Sequence, residues 1–160
     1  MTDNGNTTAA IVSGYFSPLH VGHLDMIEAA GDLADAVFVI VNNNAQQVMK
    51  KGKVIIDEQD RLRIVQALKA VDHAIVAVDE DRTVSASLEH LAQAFPEHQL
   101  IFANGGDRIP DFVPEAAVCE QHGIEMAFGV GGDAKADSSS RINVELGLED
   151  SQSAPPSETT

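Results

Sequence analysis

The chain has 160 residues, enough for one domain with a sizeable core and too few for two. Apolar residues make up 44% of it, which excludes a disordered or fibrous chain, and ten Lys and Arg against 25 Asp and Glu give a formal net charge of -15. Such a field repels DNA, RNA and anionic lipid, so neither a nucleic-acid partner nor a membrane partner is expected.

The longest apolar run, Ala36 to Val41, is strand length and far short of the roughly 18 residues of a membrane helix. The first residues, Met1 to Asn6, lack the basic stretch of a signal peptide. Cys119 is the single cysteine, which excludes an internal disulfide and a cysteine zinc cage. A cytoplasmic protein is the expectation.

In chain order, Ala9 to Val12 predicts a first strand. It runs into Ser13-Gly14-Tyr15-Phe16-Ser17-Pro18-Leu19-His20-Val21-Gly22-His23, where Gly14 and Pro18 shape a tight connection and Gly22 lets a ligand approach the backbone. Leu24, Ile27 and Ala30 predict a helix that Gly31 ends. Its N-terminus, with free N–H groups and a positive dipole end, makes an anion site, and His20 and His23 share a face of the first turn. Two histidines at this spacing also suit a metal, but only Ser17 and Asp25 lie nearby and no further ligand spacing follows, so no protein metal site is expected.

Val37 to Val41 predicts a second strand. Lys50, Lys51, Lys53, Arg61 and Arg63 then place five of the ten basic residues within 14 positions. Leu62, Val65 and Leu68 predict a helix, Ala74 to Val78 a third strand, Leu88, Leu91 and Phe95 a second amphipathic helix, and Leu100 to Phe102 a fourth strand. The turn Asn104-Gly105-Gly106-Asp107 with Arg108 follows; Asp107 suits either a ribose or substrate hydroxyl or a plain turn. Cys119, beside a helical Ala116 to Val118, reads as a small buried apolar residue.

Ile124 to Phe128 predicts a fifth strand, followed by a glycine-rich approach loop, Gly129 to Gly132. Ser138, Ser139 and Ser140 precede Arg141 and a last helix marked by Ile142, Val144 and Leu146; one serine suits its N-cap, and the hydroxyls together suit a triphosphate cradle. From Leu148 the composition becomes polar, so 148–160 is expected to be a disordered acidic tail behind a domain of residues 1–147. Apolar strands without polar alternation, interleaved with helices, imply a five-stranded parallel, doubly wound α/β sheet with helices on both faces. Seven of the ten basic residues follow strand ends or open the next helix, a placement that a merely solvated surface does not require.

These residues carry a resemblance. His20-Val21-Gly22-His23, within Gly14 to Leu19, resembles the HxGH element of the cytidylyltransferase-like nucleotidyltransferases, whose sheet is Rossmann-like. Gly105-Gly106-Asp107 resembles that family's glycine-aspartate turn, and Ser138 to Ile142 its serine/threonine-rich closing motif. Lys50 to Lys53, Arg61 and Val71-Asp72 resemble the basic loop and helix of glycerol-3-phosphate cytidylyltransferases and heptose-phosphate adenylyltransferases. The likeness runs from about Ile11 to Val144. Ser17 stands where many members carry aspartate, and Asn143 where some carry a basic residue.

The resemblance implies attack by a phosphomonoester oxygen on the α-phosphorus of CTP or ATP, releasing pyrophosphate, with Mg²⁺ on the triphosphate. It implies catalytic roles for His20, His23, Lys51 and Arg141. It implies nucleotide-binding roles for Gly14, Tyr15, Phe16, Gly22, Lys53, Arg61, Gly105, Asp107, Ser138, Ser139 and Ser140, and a homodimer. Transfer of CMP to a small phosphorylated alcohol or sugar is favoured; the alternatives are adenylyl transfer to a sugar, flavin or pantetheine phosphate, and an inactive nucleotide-binding sensor.

Overall fold

Runs such as Ala36-Val37-Phe38-Val39-Ile40-Val41 have no polar face to leave in water, so they form strands only where helices cover both sides. The computed structural model describes residues 7–105 and 113–131. In chain order these form β1 (Thr7–Gly14), α1 (Val21–Gly31), β2 (Ala36–Val41), α2 (Asn44–Lys51), α3 (Glu58–Gln66), β3 (His73–Val76), α4 (Ser85–Ala94), β4 (His98–Ala103), α5 (Ala116–His122) and β5 (Glu125–Ala127).

All four strand pairings are parallel and the sheet order is β3-β2-β1-β4-β5. Ala9 and Ile11 of β1 pack with Phe38 and Ile40 of β2 beneath Leu88 and Leu91 of α4 and Cys119 of α5. Ala10 and Val12 point the other way and join Val37, Val39 and Val41 against Ile27 and Ala30 of α1 and Val65 of α3. The two-residue period of each strand thus feeds two separate cores, one on each face. This is the expected doubly wound, Rossmann-like α/β architecture with five parallel strands.

The sheet order reverses beside β1, with β2 and β3 on one side and β4 and β5 on the other. A crevice at the carboxyl ends of β1 and β4 is where such sheets bind ligands. Boundaries moved where local bonds overrode the apolar pattern. Leu68 lies past the end of α3 in a turn, its N–H donating to Val65 O at 3.1 Å. Helix α2 replaces the basic loop expected around Lys50 and Lys51. The serine-capped last helix and the tail 148–160 lie outside the described residues.

Candidate functional site

The segment from Gly14 to His23 folds tightly because its side chains and backbone interlock. Phe16 has φ +53°, and its buried ring turns back over Gly14. A Cβ at position 14 would stand 3.0 Å from the ring tip, so any larger residue there requires the ring to shift. The ring also packs edge-on against His23, with centroids 4.8 Å apart. Phe16 therefore orients the segment from beneath. Across the crevice, the loop after β5 is pressed onto α1: Gly131, at φ +88°, would bring a Cβ within 3.3 Å of the Met26 backbone.

His20 is the N-cap of α1. Its Nδ1 accepts from the Gly22 N–H at 3.0 Å, and His23 Nδ1 accepts from the His20 N–H at 3.2 Å. This is a reciprocal capping box built from two imidazoles. The rings stack with centroids 3.9 Å apart and planes at 27°. A neutral imidazole that accepts at Nδ1 carries its proton on Nε2. Both rings thereby become N–H donors with fixed tautomers at the positive end of a helix.

The carboxyl end of β2 is held by amides. Asn43 caps α2, accepting from Gln46 N at 2.8 Å, while Gln46 Oε1 accepts from Asn43 N and from Asn42 Nδ2, each at 2.9 Å. Gln46 Nε2 then donates to the carbonyls of Asp81 and Thr83. Buried Ser17 donates to Gln47 Oε1 at 2.7 Å, which ties the segment after β1 to α2. Lys50 and Lys51 end α2, Gly52 is its left-handed C-cap and Lys53 is exposed beyond it. Lys50 Nζ lies 4.7 Å from the centre of the Tyr15 ring, a cation–π contact that sets a positive charge beside the segment after β1.

Arg61, expected to bind nucleotide, is enclosed by protein groups. Its side chain is 0% exposed and donates to four protein acceptors: Ile56 O, Tyr15 O, Asn42 O and Asn44 Oδ1. Four of its five N–H donors are spent fastening the ends of β1 and β2 to the start of α3. Burial pushes its pKa down, opposed by the charges of Glu58 and Asp57. This network makes the residue a strut at the carboxyl ends of β1 and β2.

The family model described as cytidylyltransferase-like matches residues 11–148, most of the chain. The chain belongs to the cytidylyltransferase-like family. Within it, the chain is 38% identical over 74 residues to an FAD synthase of Methanocella paludicola, covering 46% of this chain and 52% of that protein. It is 31% identical over 139 residues to the bifunctional protein HldE of Syntrophotalea carbinolica, covering 84% of this chain and 27% of that one. The chain thus spans about half of the first relative and about a quarter of the second. A crystal structure of a lipopolysaccharide core biosynthesis protein from Thermoplasma volcanium superposes with TM-score 0.60 at 23% identity, over 82% of this chain and 99% of that one. At that identity the likeness speaks for the fold.

Ring contacts join Phe16, His20 and His23, and a separate cation–π contact joins Lys50 to the neighbouring Tyr15. Gly22 supplies the N–H that fixes His20, and Gly105 follows β4 at the carboxyl edge. Asp107, Ser138, Ser139, Ser140 and Arg141 lie outside the described residues. Among the described residues, no group of three or more His, Cys, Asp or Glu could hold a metal ion. No helix among them is long and apolar enough to cross a membrane. Sequence reasoning missed the amide network of Asn42, Asn43, Gln46 and Gln47, although Asn43 and Gln46 at N-cap and N3, with Gly52 at the far end, form a capping signature.

Proposed function

We propose that the chain is a nucleotidyltransferase that moves a nucleoside monophosphate from a nucleoside triphosphate to a small phosphomonoester. The observation that carries this reading is the paired capping of His20 and His23, which stacks two imidazoles on the first turn of α1, at its anion-binding end. An acceptor phosphate oxygen attacks the α-phosphorus, the bond from that phosphorus to the bridging oxygen breaks, and pyrophosphate leaves. The transition state gathers charge on non-bridging and leaving oxygens, where fixed N–H donors and nearby cations act most strongly.

In this reading His20 and His23 stabilise the reacting phosphate and Lys51 or Lys53 holds the attacking or α-phosphate. Arg141 with Ser138 to Ser140 takes the distal phosphates, and Asp107 a hydroxyl. Arg61, Phe16 and Gly14 keep the segment in shape. Mg²⁺ bound with the triphosphate would supply neutralisation of the phosphate charge, beside the cations and N–H donors of the chain.

For the nucleotide, ATP is the first reading, because the relatives named FAD synthase make a product that contains an adenylyl group. CTP is the second reading, supported by the glycerol-phosphate-like layout of the sequence. A flavin phosphate or a sugar phosphate is the acceptor class. A cytoplasmic homodimer completes the proposal. The test is a matrix of four nucleoside triphosphates against FMN, sugar phosphates and glycerol phosphate, read by pyrophosphate at low and high salt. Release with one pair establishes the reaction; tight binding without release on any acceptor favours the sensor.

A further inference from the structure

Asn104 follows β4 at its carboxyl end, next to β1 where the strand order reverses. It is 2% exposed, and three of its four polar groups are satisfied. Its N–H donates to Ala127 O at 2.8 Å, and its carbonyl accepts from Val130 N at 3.0 Å. Its Nδ2 donates to Phe102 O at 3.2 Å and to Ala127 O at 3.1 Å. Two carbonyl partners fix the amide's orientation, since the side-chain oxygen could bond neither of them. That oxygen, Oδ1, is buried with no hydrogen-bond partner among the described residues. Buried acceptors in folded proteins are almost always matched, so an unmatched one at a ligand-binding edge points to a donor on the ligand.

Charge is divided across the crevice. Lys50 and Lys51 stand on α2, on the β2 side, which suits phosphates. The described ends of β4 and β5 offer Ala103, Asn104, Gly105 and Ala127, which carry no charge and suit the neutral end of a nucleotide. An amide oxygen only accepts, and its burial calls for a flat edge that excludes water. The exocyclic amine shared by adenine and cytosine, a donor on a planar ring, meets both conditions; a ribose hydroxyl brings an acceptor of its own.

Resting on the nucleotidyl-transfer reading, we propose that Asn104 Oδ1 accepts a hydrogen bond from the exocyclic amine of the bound nucleobase. The site thereby selects amine-bearing triphosphates over keto-bearing ones. Removing the amine leaves the acceptor buried and unmatched, which is a strong form of discrimination.

The test is calorimetric binding of ATP, ITP, CTP and UTP, with Mg²⁺, to the full chain and to Asn104→Ala. The wild type is expected to bind ATP over ITP, or CTP over UTP, by roughly tenfold or more, and Asn104→Ala to lose that preference. Equal binding of amine and keto partners by the wild type overturns the inference even if the variant does not fold. So does a preference that survives in a folded Asn104→Ala. Deoxyribose analogues form a third arm. If loss of a ribose hydroxyl, and not of the amine, is what the variant ceases to sense, Asn104 reads the sugar and the proposal is wrong. Failure of every triphosphate to bind removes the nucleotidyl-transfer reading itself, whereas binding without base preference removes this inference alone.

Discussion

His20 and His23 fix one another: the backbone N–H of His20 donates to His23 Nδ1 at 3.2 Å, while the two rings stack 3.9 Å apart. His20 in turn caps α1 through the Gly22 N–H. Each histidine thus has a structural role at Nδ1 beside the chemical role proposed for its ring, and substitutions can separate the two.

His20→Asn keeps an N-cap acceptor and removes the imidazole donor, whereas His20→Ala removes both. Urea unfolding is expected to show His20→Asn close to wild type and His20→Ala weaker by about 1 kcal/mol, on the usual cost of losing a cap. Pyrophosphate release should fall roughly 10²–10³-fold in both variants and in His23→Ala, on the precedent of deleting one oxyanion donor. A near-normal rate in folded His23→Ala would end the catalytic assignment.

Arg61→Lys tests whether this cation scaffolds or binds. One ammonium cannot span Ile56 O, Tyr15 O, Asn42 O and Asn44 Oδ1. Denaturant titration should register a loss of about 3 kcal/mol, the scale for breaking a buried charged network. A variant of unchanged stability that binds triphosphate poorly would return Arg61 to direct contact with the ligand.

Cys119 is buried, and burial, with the nearby Glu115 charge second, pushes its thiol up to about 11. Thiolate is therefore scarce at neutral pH. Ellman's reagent should find essentially no reactive thiol in the native protein and one per chain in strong denaturant. Fast native labelling would contradict the packing of α5 against the sheet.

The carboxyl of Asp57, the N-cap of α3, is held below its ordinary value, first by the Asn44 side chain and then by the Gln59 N–H. A carboxylate favoured in the folded state adds stability above its unfolded value of 3.8. That stability disappears as pH falls through the lower folded value. Asp57→Ala should therefore lower the urea midpoint at pH 7, and the gap to wild type should close in strong acid. A gap of constant size at every pH would remove the charge from the explanation.

A formal net charge of -15 sets up self-repulsion across the whole chain. Raising KCl from 0.1 M to 1 M shortens the screening length from about 10 Å to about 3 Å. Thermal unfolding followed by circular dichroism should move to higher temperature over that range. A transition that ignores salt would show that the acidic groups are too far apart to matter.

The strands and most helices were legible because they are written in apolar residues: Val37 to Val41, Leu88 with Leu91, and Ile27 with Ala30 are all buried. Helix α2 was not legible by that rule, since its buried residues are Gln46 and Gln47. Amides reach the interior only when every polar group finds a partner, and those partners, such as Asp81 O and Thr83 O, lie more than 30 positions away. The hydrogen-bond network of Arg61 was not legible for the same reason, because its acceptors come from three separate segments.

Sequence alone determined the class of fold, the family and the pair of histidines after the first strand. A hydrophobic period and a short motif are local properties, carried by neighbouring residues whatever the rest of the chain does. Tertiary structure alone decided which polar residues are scaffold and which are left with something to offer. Arg61 became a strut and both histidines acquired a fixed tautomer, while Asn104 kept an unmatched oxygen. Those outcomes depend on which distant carbonyls and N–H groups arrive beside each side chain, and that is settled only when the sheet closes over its two cores.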